Sequence, residues 1–322
     1  MPVAQALRAL LGAGRFQDAL EQFRDLTVPE SRLPDVQLLA ATAATRMGEL
    51  DVGANLGVEA LGQFSIRGDR DGRMRTVNLL GAIHWERGHI ADAEWCFAEA
   101  LRLARQLGDS VMLARACNNL ASVAHLQGRS DEAAALYRGA LLAYQRLGDR
   151  RGMAETYHNL GFAYRQAGEW REAGSAAANA VRHAEVVGEP GLLALVLGAK
   201  AELSIERDDP ALAERELQRA AGYAEQSGDE IGRAEVHRVQ ALNALHQKNW
   251  HEALEHASTA RAVAVTYDSV LLGAECAGIA ARALKALGQP GESAACRVEA
   301  EAGFRQLGAT QLMEKLRRDL GD

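Results

Sequence analysis

Amide, imidazole and guanidinium side chains recur at about forty-residue intervals in the middle of the sequence. Asn78, Asn118 and His158 form one series, and Asn119 and Asn159 belong to a neighbouring one. A carboxamide can donate to a carbonyl and accept from an N–H, so it can bind an extended peptide backbone without reading its sequence. The expected binding residues are Arg75, Asn78, Arg115, Asn118, Asn119, His158, Asn159, Phe162 and Arg165. The alternative is a solvated polar face that binds nothing specific.

Patterns that would carry catalysis or hold a metal are weak. Ser122 and His125 are one helical turn apart, but no acid falls in register to orient the imidazole, which favours groove polarity over nucleophilic catalysis. His251 and His256 are five residues apart in HEALEH and diverge around a helix, unlike the histidines of a zinc-binding HExxH. The four cysteines lack metal-ligand spacing. We therefore expect no enzyme, no cofactor and no metal site.

The elements that position these residues are indicated by turns with the same forty-residue period. One series of turn positions is Gly48, Gly88, Gly128, Gly168, Asp208, Lys248 and Gly288. A second is Gly68, Gly108, Gly148, Gly188, Gly228, then the weaker Tyr267-Asp268 and Gly308. Glycine suits the left-handed residue that ends a helix, and an aspartate after it can cap the next one. The pattern predicts stacked helical hairpins.

Within each forty-residue copy, small and aromatic residues repeat in register. Leu80-Gly81, Gly88, Ala93, Phe97 and Ala100 are followed in the next copy by Leu120-Ala121, Gly128, Ala133, Tyr137 and Ala140. This resembles the tetratricopeptide repeat family, in the long form seen in kinesin light chains, spindle-orientation scaffolds and bacterial peptide-sensing regulators. The resemblance implies that the first helix of each hairpin lines a concave face. Peptide-binding members use asparagines at the positions of Asn119 and Asn159.

This sequence does not match one specialised binding site of that family. Its clamp for chaperone C-terminal carboxylates needs two lysines, two asparagines and an arginine. Here Asn78 and Glu155 stand where the lysines are wanted, and Ala82 stands where one asparagine is wanted. The resemblance therefore does not extend to chaperone-tail binding.

The resemblance and the spacing together predict an all-α fold, an α-solenoid in the form of a right-handed superhelix spanning 1–322. About eight hairpins are expected, at roughly 3–26, 35–64, 73–107, 110–147, 150–187, 190–227, 230–266 and 270–307, and a capping helix at 310–320. Residues 27–34 are expected to be a linker in which Pro29 and Pro34 end helices.

Charge and composition narrow the kind of partner. The net charge of −7 argues against general nucleic-acid binding. Residues 66–175 carry a net charge of +2 and the rest of the chain −9. This difference suits docking of an acidic partner on the middle third, and an ordinary scatter of charged residues explains it equally well. A signal peptide or a long apolar run is not evident, so we expect a cytoplasmic protein without membrane insertion.

The expected function is a non-enzymatic scaffold or adaptor that binds a peptide or a partner helix in the concave groove of hairpins three to five. The alternative is a sensor whose solenoid changes pitch when a peptide or ligand binds, and which acts through a partner protein. A third reading is an oligomeric assembly factor that uses Trp95, Trp170 and Trp250 on the second helices. We expect those indoles to pack between hairpins instead.

Overall fold

The computed structural model describes residues 2–321, and these contain eighteen helices and no strand. The helices are α1 (Pro2–Gly12), α2 (Phe16–Arg24), α3 (Val28–Ser31), α4 (Pro34–Arg46), α5 (Leu50–Arg67), α6 (Arg70–Glu86), α7 (Ile90–Leu107), α8 (Ser110–Leu126), α9 (Ser130–Leu147), α10 (Arg150–Gln166), α11 (Trp170–Val187), α12 (Pro190–Glu206), α13 (Pro210–Ser227), α14 (Glu230–His246), α15 (Trp250–Thr266), α16 (Val270–Ala286), α17 (Pro290–Gln306) and α18 (Thr310–Leu320). The all-α fold of consecutive helical hairpins is confirmed.

The chain forms two compact units that divide between Asn119 and Leu120, within α8. Unit one contains the hairpins α1–α2, α4–α5 and α6–α7, and unit two contains α10–α11, α12–α13, α14–α15 and α16–α17, followed by α18. In unit two the first helices of successive hairpins also contact one another, α10 with α12, α12 with α14 and α14 with α16. First helices therefore share one face, where their side chains can meet.

The turns between helices have the left-handed backbone that the forty-residue spacing predicts. φ is positive at all the predicted glycines of both series, for example 70° at Gly88 and 70° at Gly108. It is also positive at the three replacements, Asp208 (59°), Lys248 (64°) and Asp268 (51°). Since a Cβ disfavours this conformation, tertiary packing imposes the turn even where glycine is missing.

Aspartates cap several first helices, as expected. The Oδ1 atoms of Asp69, Asp109 and Asp149 each accept from the N–H three residues on, at 2.9 Å. Asp229 does the same at 3.1 Å. Each cap satisfies one of the backbone donors that a helix start leaves without a partner.

The predicted linker at 27–34 is wrong in one respect, because both prolines lie at the start of helices. Pro29 lies in the first turn of α3, and Pro34 is the first residue of α4. Proline is tolerated there because the first N–H groups of a helix have no intrahelical partner. Thr27 donates its backbone N–H and its hydroxyl to Glu30, at 3.2 and 2.6 Å, and so fixes the start of α3.

The expected packing of the three tryptophans holds for one of them. Trp250 packs against the cluster formed by α14, α15 and α16. Trp95 is 64 % exposed and Trp170 43 % exposed. Trp95 lies outside the buried stripe of α7, which runs through Ala93, Phe97 and Ala100, so the helix turns it toward solvent.

The last helix, α18, closes unit two. Leu316 and Leu320 are buried, and Leu316 lies against Gly278 of α16. Its polar side chains pair with the preceding hairpin, Arg317 with Glu301 at 3.0 Å and Asp319 with Arg282 at 3.2 Å.

Among residues 2–321, none of the helices combines the length and the apolar character that crossing a bilayer requires.

Candidate functional site

In unit one the predicted residues form a patch of five on α6 and α8, called here the asparagine patch: Arg75, Asn78, Arg115, Asn118 and Asn119. Asn119 donates to the side-chain oxygen of Asn78 at 3.3 Å. Asn78 and Asn118 are each 9 % exposed, whereas Arg75 and Arg115 are exposed. Arg75 pairs with Asp71 at 3.0 Å on its own helix. On each of the two helices the patch thus places partly covered amides one turn away from an exposed arginine.

In unit two three predicted residues of α10 are in mutual contact. The His158 ring meets the Phe162 ring edge to face, with centroids 4.9 Å apart. The guanidinium of Arg165 lies 4.6 Å from the Phe162 centroid, within cation–π distance. Asn159, next along α10, is partly buried. The side chains follow one face of α10 because they are three and four residues apart.

These residues form one wall of a small cleft between α10, α11 and α12 that is open to solvent. The cleft lining is His158, Gly161, Phe162, Arg165, Ala173, Ala177, Ala180, Val196, Ala199 and Leu203. The opposite walls are therefore small and apolar, and alanines and a glycine leave the space open. A concave apolar site with a few polar groups at one side is typical of ligand sites.

An ion-pair ladder that the sequence analysis missed continues from the cleft across the first helices. Arg165 of α10 pairs with Glu202 of α12 at 2.7 Å, Glu202 pairs with Arg238 of α14 at 3.0 Å, and Arg238 pairs with Glu275 of α16 at 3.3 Å. Glu235 also approaches Arg238, at 2.9 Å. The charge of Arg165 is thus balanced within the chain rather than left for a partner.

Two carboxylates of the ladder have opposite pKa shifts. Burial alone would raise the pKa of Glu202, but the guanidinium groups of Arg165 and Arg238 outweigh it and hold the pKa far below its usual range. Burial raises the pKa of Glu275 to about 7, because Arg238 compensates it only in part and Glu235 and Glu202 add repulsion. One guanidinium shared by three carboxylates cannot fully stabilise all of their charges.

The histidines near the cleft are neutral at pH 7. Burial lowers the pKa of His158 to about 4, and the pKa of His125 likewise to about 4. The Nδ1 atom of His158 is buried and has no hydrogen-bond partner within residues 2–321. The Ser122 hydroxyl lies 3.1 Å from the Tyr137 hydroxyl. The cleft therefore offers a neutral imidazole.

The nine predicted residues are accordingly brought together in two groups, one in each unit. The asparagine patch holds five of them, and α10 holds the other four beside the cleft. The missed residues are Glu202, Arg238 and Glu275. Successive members of the ladder are separated by 37, 36 and 37 residues, so a search at the forty-residue period passes over them.

Comparison with known proteins agrees with this architecture. The tetratricopeptide repeat family model matches residues 112–185. No curated protein matches the chain in sequence.

Solved structures with the same fold cover most of the chain. A Rap protein complexed with competence and sporulation factor is 11 % identical, with a TM-score of 0.74 over 94 % of this chain and 81 % of the other. The Rap conjugation gene regulator of plasmid pLS20, in complex with the Phr* peptide, is 14 % identical, with a TM-score of 0.70 over 90 % and 76 %. Aspartyl phosphate phosphatase F from Bacillus subtilis is 11 % identical, with a TM-score of 0.66 over 86 % and 71 %. At these identities the likeness concerns the fold alone.

Proposed function

We propose that this protein is a non-enzymatic scaffold that binds a peptide or a partner helix on the first helices of hairpins three to five. The match of residues 112–185 to the tetratricopeptide repeat model and the succession of helical hairpins support this. The observation that carries the proposal is the cleft beside Phe162, which pairs apolar walls with a neutral imidazole. Of the structures of similar fold, one is a complex with competence and sporulation factor and another is a complex with the Phr* peptide, and the second supports a peptide as the partner.

The chemistry of the cleft indicates which part of a peptide would enter it. Walls of Ala173, Ala177, Val196 and Leu203 suit an aliphatic side chain, because burying one contributes about 1.5–3 kcal/mol. A backbone carbonyl or N–H beside it would meet the unsatisfied Nδ1 of His158. The proposed ligand is therefore an extended peptide with an aliphatic anchor residue.

The asparagine patch would bind the backbone amides of a peptide by hydrogen bonds. Asn119 and Asn78 already exchange one weak hydrogen bond of 3.3 Å, which a peptide group can replace without leaving either amide unsatisfied. The exposed guanidinium groups of Arg75 and Arg115 would attract acidic side chains and raise the association rate more than the final affinity.

The test is peptide selection followed by measured affinities. A random peptide library is panned on the full chain, and enriched peptides are titrated by fluorescence anisotropy. We expect Phe162→Ala and Asn159→Ala to weaken binding by at least about tenfold, because each removes a contact at the site. Phe162→Leu keeps an apolar side chain at this position and should weaken peptide binding less than Phe162→Ala does. Asn179→Ala, on the second helix α11, is the matched control.

Two outcomes contradict the proposal. Either no peptide is enriched over an unrelated helical protein, or the enriched peptides bind Phe162→Ala, Asn159→Ala and Asn119→Ala as tightly as the wild type. Thermal melts of each variant by circular dichroism separate loss of binding from loss of folding.

A second candidate, a sensor that changes pitch, is favoured by the contacts of α18. Lys315 pairs with Glu206 at the end of α12 across 3.1 Å. The side-chain amide of Gln311 lies 2.8 Å from where a Cβ on Gly128 would be, at the turn before α9. One helix therefore bridges turns separated by almost two repeats, so a change of pitch in unit two would break these contacts.

The sensor candidate has its own test. If a peptide binds best when the α18 contacts are open, Gln311→Ala with Lys315→Ala should tighten binding of a selected peptide several-fold, by reciprocal linkage. Small-angle scattering should then show a ligand-dependent change in the dimensions of the wild type. An unchanged affinity and unchanged dimensions would leave the rigid scaffold as the explanation.

A further inference from the structure

Three potential metal ligands meet at the turn between α6 and α7, in unit one. His84, His89 and Asp92 each direct a ligand atom into one space, and these atoms all lie within 4.8 Å of one another. The two imidazole rings have centroids 5.9 Å apart and are tilted by 40°. This group lies outside both the asparagine patch and the cleft.

The backbone of the turn holds the three residues in place. His84 is in the last turn of α6, Gly88 reverses the chain at φ 70°, and His89 donates its N–H to the His84 carbonyl at 2.8 Å. His89 is the residue immediately before α7, and Asp92 lies in the first turn of that helix. Because the chain between the ligands is already ordered by hydrogen bonds, little further backbone entropy would be lost on binding an ion.

A second observation also points to a ligand. The Nδ1 atom of His84 is buried, and within residues 2–321 it has no hydrogen-bond partner. A buried ring nitrogen without a partner is unfavourable, so such groups are normally satisfied in folded proteins. An ion coordinated through the Nδ1 atom of His84 would satisfy that nitrogen.

We propose that His84, His89 and Asp92 bind a divalent transition-metal ion of the Zn²⁺ type. Imidazole and carboxylate ligands suit Zn²⁺, Co²⁺ or Ni²⁺, whereas Mg²⁺ and Ca²⁺ prefer all-oxygen sites. Bonds of about 2.0–2.2 Å put ligand atoms about 3.4 Å apart in a tetrahedral site, so the distances between ligand atoms need to shorten by up to about 1.4 Å. His89 and Asp92 are exposed, and their side chains can make that adjustment.

The surrounding charges are compatible with a cation. Arg87 of the same turn is ion-paired with Asp51. Two neutral imidazoles, one carboxylate and a divalent ion leave a net charge of +1, and three protein ligands leave a coordination position open to water or to a side chain of a partner. The ion would tie the end of α6 to the start of α7 within one hairpin.

Other histidine pairs of the chain provide matched controls. His237 and His256 approach each other with their Nδ1 atoms 3.1 Å apart, and His246 lies 2.9 Å from Asp208. Within the described residues neither pair belongs to a group of three potential ligands. Two ligands bind such ions much more weakly than three, so these pairs test whether the third ligand matters.

The experiment is calorimetric titration of the full chain, freed of any affinity tag, with ZnCl₂ at pH 7.5 in a non-chelating buffer. We expect one ion per chain, and at least about tenfold weaker binding by His89→Asn and by Asp92→Asn, both substitutions at exposed positions. His246→Asn and His256→Asn should bind as the wild type does. CoCl₂ should give visible d–d absorption that the first two variants lose.

The proposal is overturned if the wild type takes up no zinc at about 100 µM free ion, or if His89→Asn and Asp92→Asn bind it unchanged. Loss of binding in the His256→Asn control instead would move the site to α15 and equally overturn the assignment. Because peptide binding by these two variants is measured separately, the outcome does not depend on the proposed scaffold function.

Discussion

Arg238 of α14 donates to Glu202 of α12 across 3.0 Å, and both side chains are less than a tenth exposed. Glu202 is also paired with Arg165, so the pair is the centre of a ladder that joins four successive first helices. Buried ion pairs are not strong sources of net stability, because desolvation offsets much of the attraction. Removing one partner nevertheless destabilises the folded protein strongly, since the remaining charge stays buried without compensation.

The first prediction therefore concerns Arg238→Met, which replaces the guanidinium side chain by a shorter, unbranched apolar one and so removes its charge. Three carboxylates would lose a shared cation, and we expect the free energy of unfolding to fall by about 3 kcal/mol. Urea unfolding at pH 7 gives the measurement. The control is Arg233→Met, whose pair with Glu230 is exposed and should contribute less than about 1 kcal/mol. Equal effects of the two substitutions would contradict a special role for the ladder.

The second prediction is a pH dependence that originates at Glu275. With a pKa of about 7 in the folded state, above its value of 4.5 as an isolated group, Glu275 holds its proton more tightly when the protein is folded. The free energy of unfolding should therefore fall as the pH rises from about 4.5 to about 7. This fall amounts to up to about 3 kcal/mol across that range, and Glu275→Gln should abolish it.

Two histidines also make the stability depend on pH in this range, but with the opposite sign. His125 and His158, whose pKa values are lowered to about 4, add stability as the pH rises from about 4 to 6.5. The quantity to compare is thus the difference between wild type and Glu275→Gln, from urea melts at pH 5, 6, 7 and 8. Glu292→Gln, at an exposed position of α17, serves as control. A difference that stays constant with pH would contradict the assignment.

The third prediction uses a left-handed residue that is not glycine. Lys248 has φ 64° at the turn between α14 and α15 and is exposed. A residue with a Cβ in this conformation is unfavourable by about 1–2 kcal/mol, and glycine adds entropy to the unfolded chain that offsets about half of that. We expect Lys248→Gly to raise the free energy of unfolding by about 0.5–1 kcal/mol. Lys248→Ala should have almost no effect, and a stabilisation equal to that of Lys248→Gly would show that the backbone conformation is not the cause.

The turns were predictable because backbone conformation at a helix end depends on a few local residues. Gly108 and Asp109 specify their turn by themselves, and even Asp208 and Lys248 could be assigned from the repeat period. The first helices, and with them the two groups of candidate binding residues, follow from the same register. Local signals of this kind also determined the helical class of the fold.

The ladder and the proposed metal site were not predicted, because both depend on how far side chains reach. Arg165 meets Glu202 about one helical turn before the equivalent position in the next repeat, since its long side chain extends along the neighbouring helix. His84 and His89 differ by five residues, a spacing that diverges on a helix but converges across a turn. Exposure of Trp95 was missed for a similar reason, because hydrophobic character alone does not show which stripe a neighbour covers.

The last prediction compares two glycines at equivalent positions of two repeats. A Cβ on Gly81 would lie 2.7 Å from Cε1 of Phe97 and 3.0 Å from Cβ of Cys96, whereas a Cβ on Gly161 would have its nearest neighbour, Ala176, at 3.7 Å. Phe97 is 3 % exposed, so its ring has little room to move. Gly81→Ala should destabilise the protein by about 1–3 kcal/mol through overpacking.

Gly161→Ala should instead stabilise it by up to about 1 kcal/mol, because alanine favours the helix and its methyl group makes an ordinary contact. Urea unfolding of the two variants gives the comparison, and each serves as the control of the other. Destabilisation by both would mean that α10 and α11 pack more tightly than the 3.7 Å contact indicates. Tolerance of both would mean that α6 and α7 can separate, which the buried Phe97 argues against.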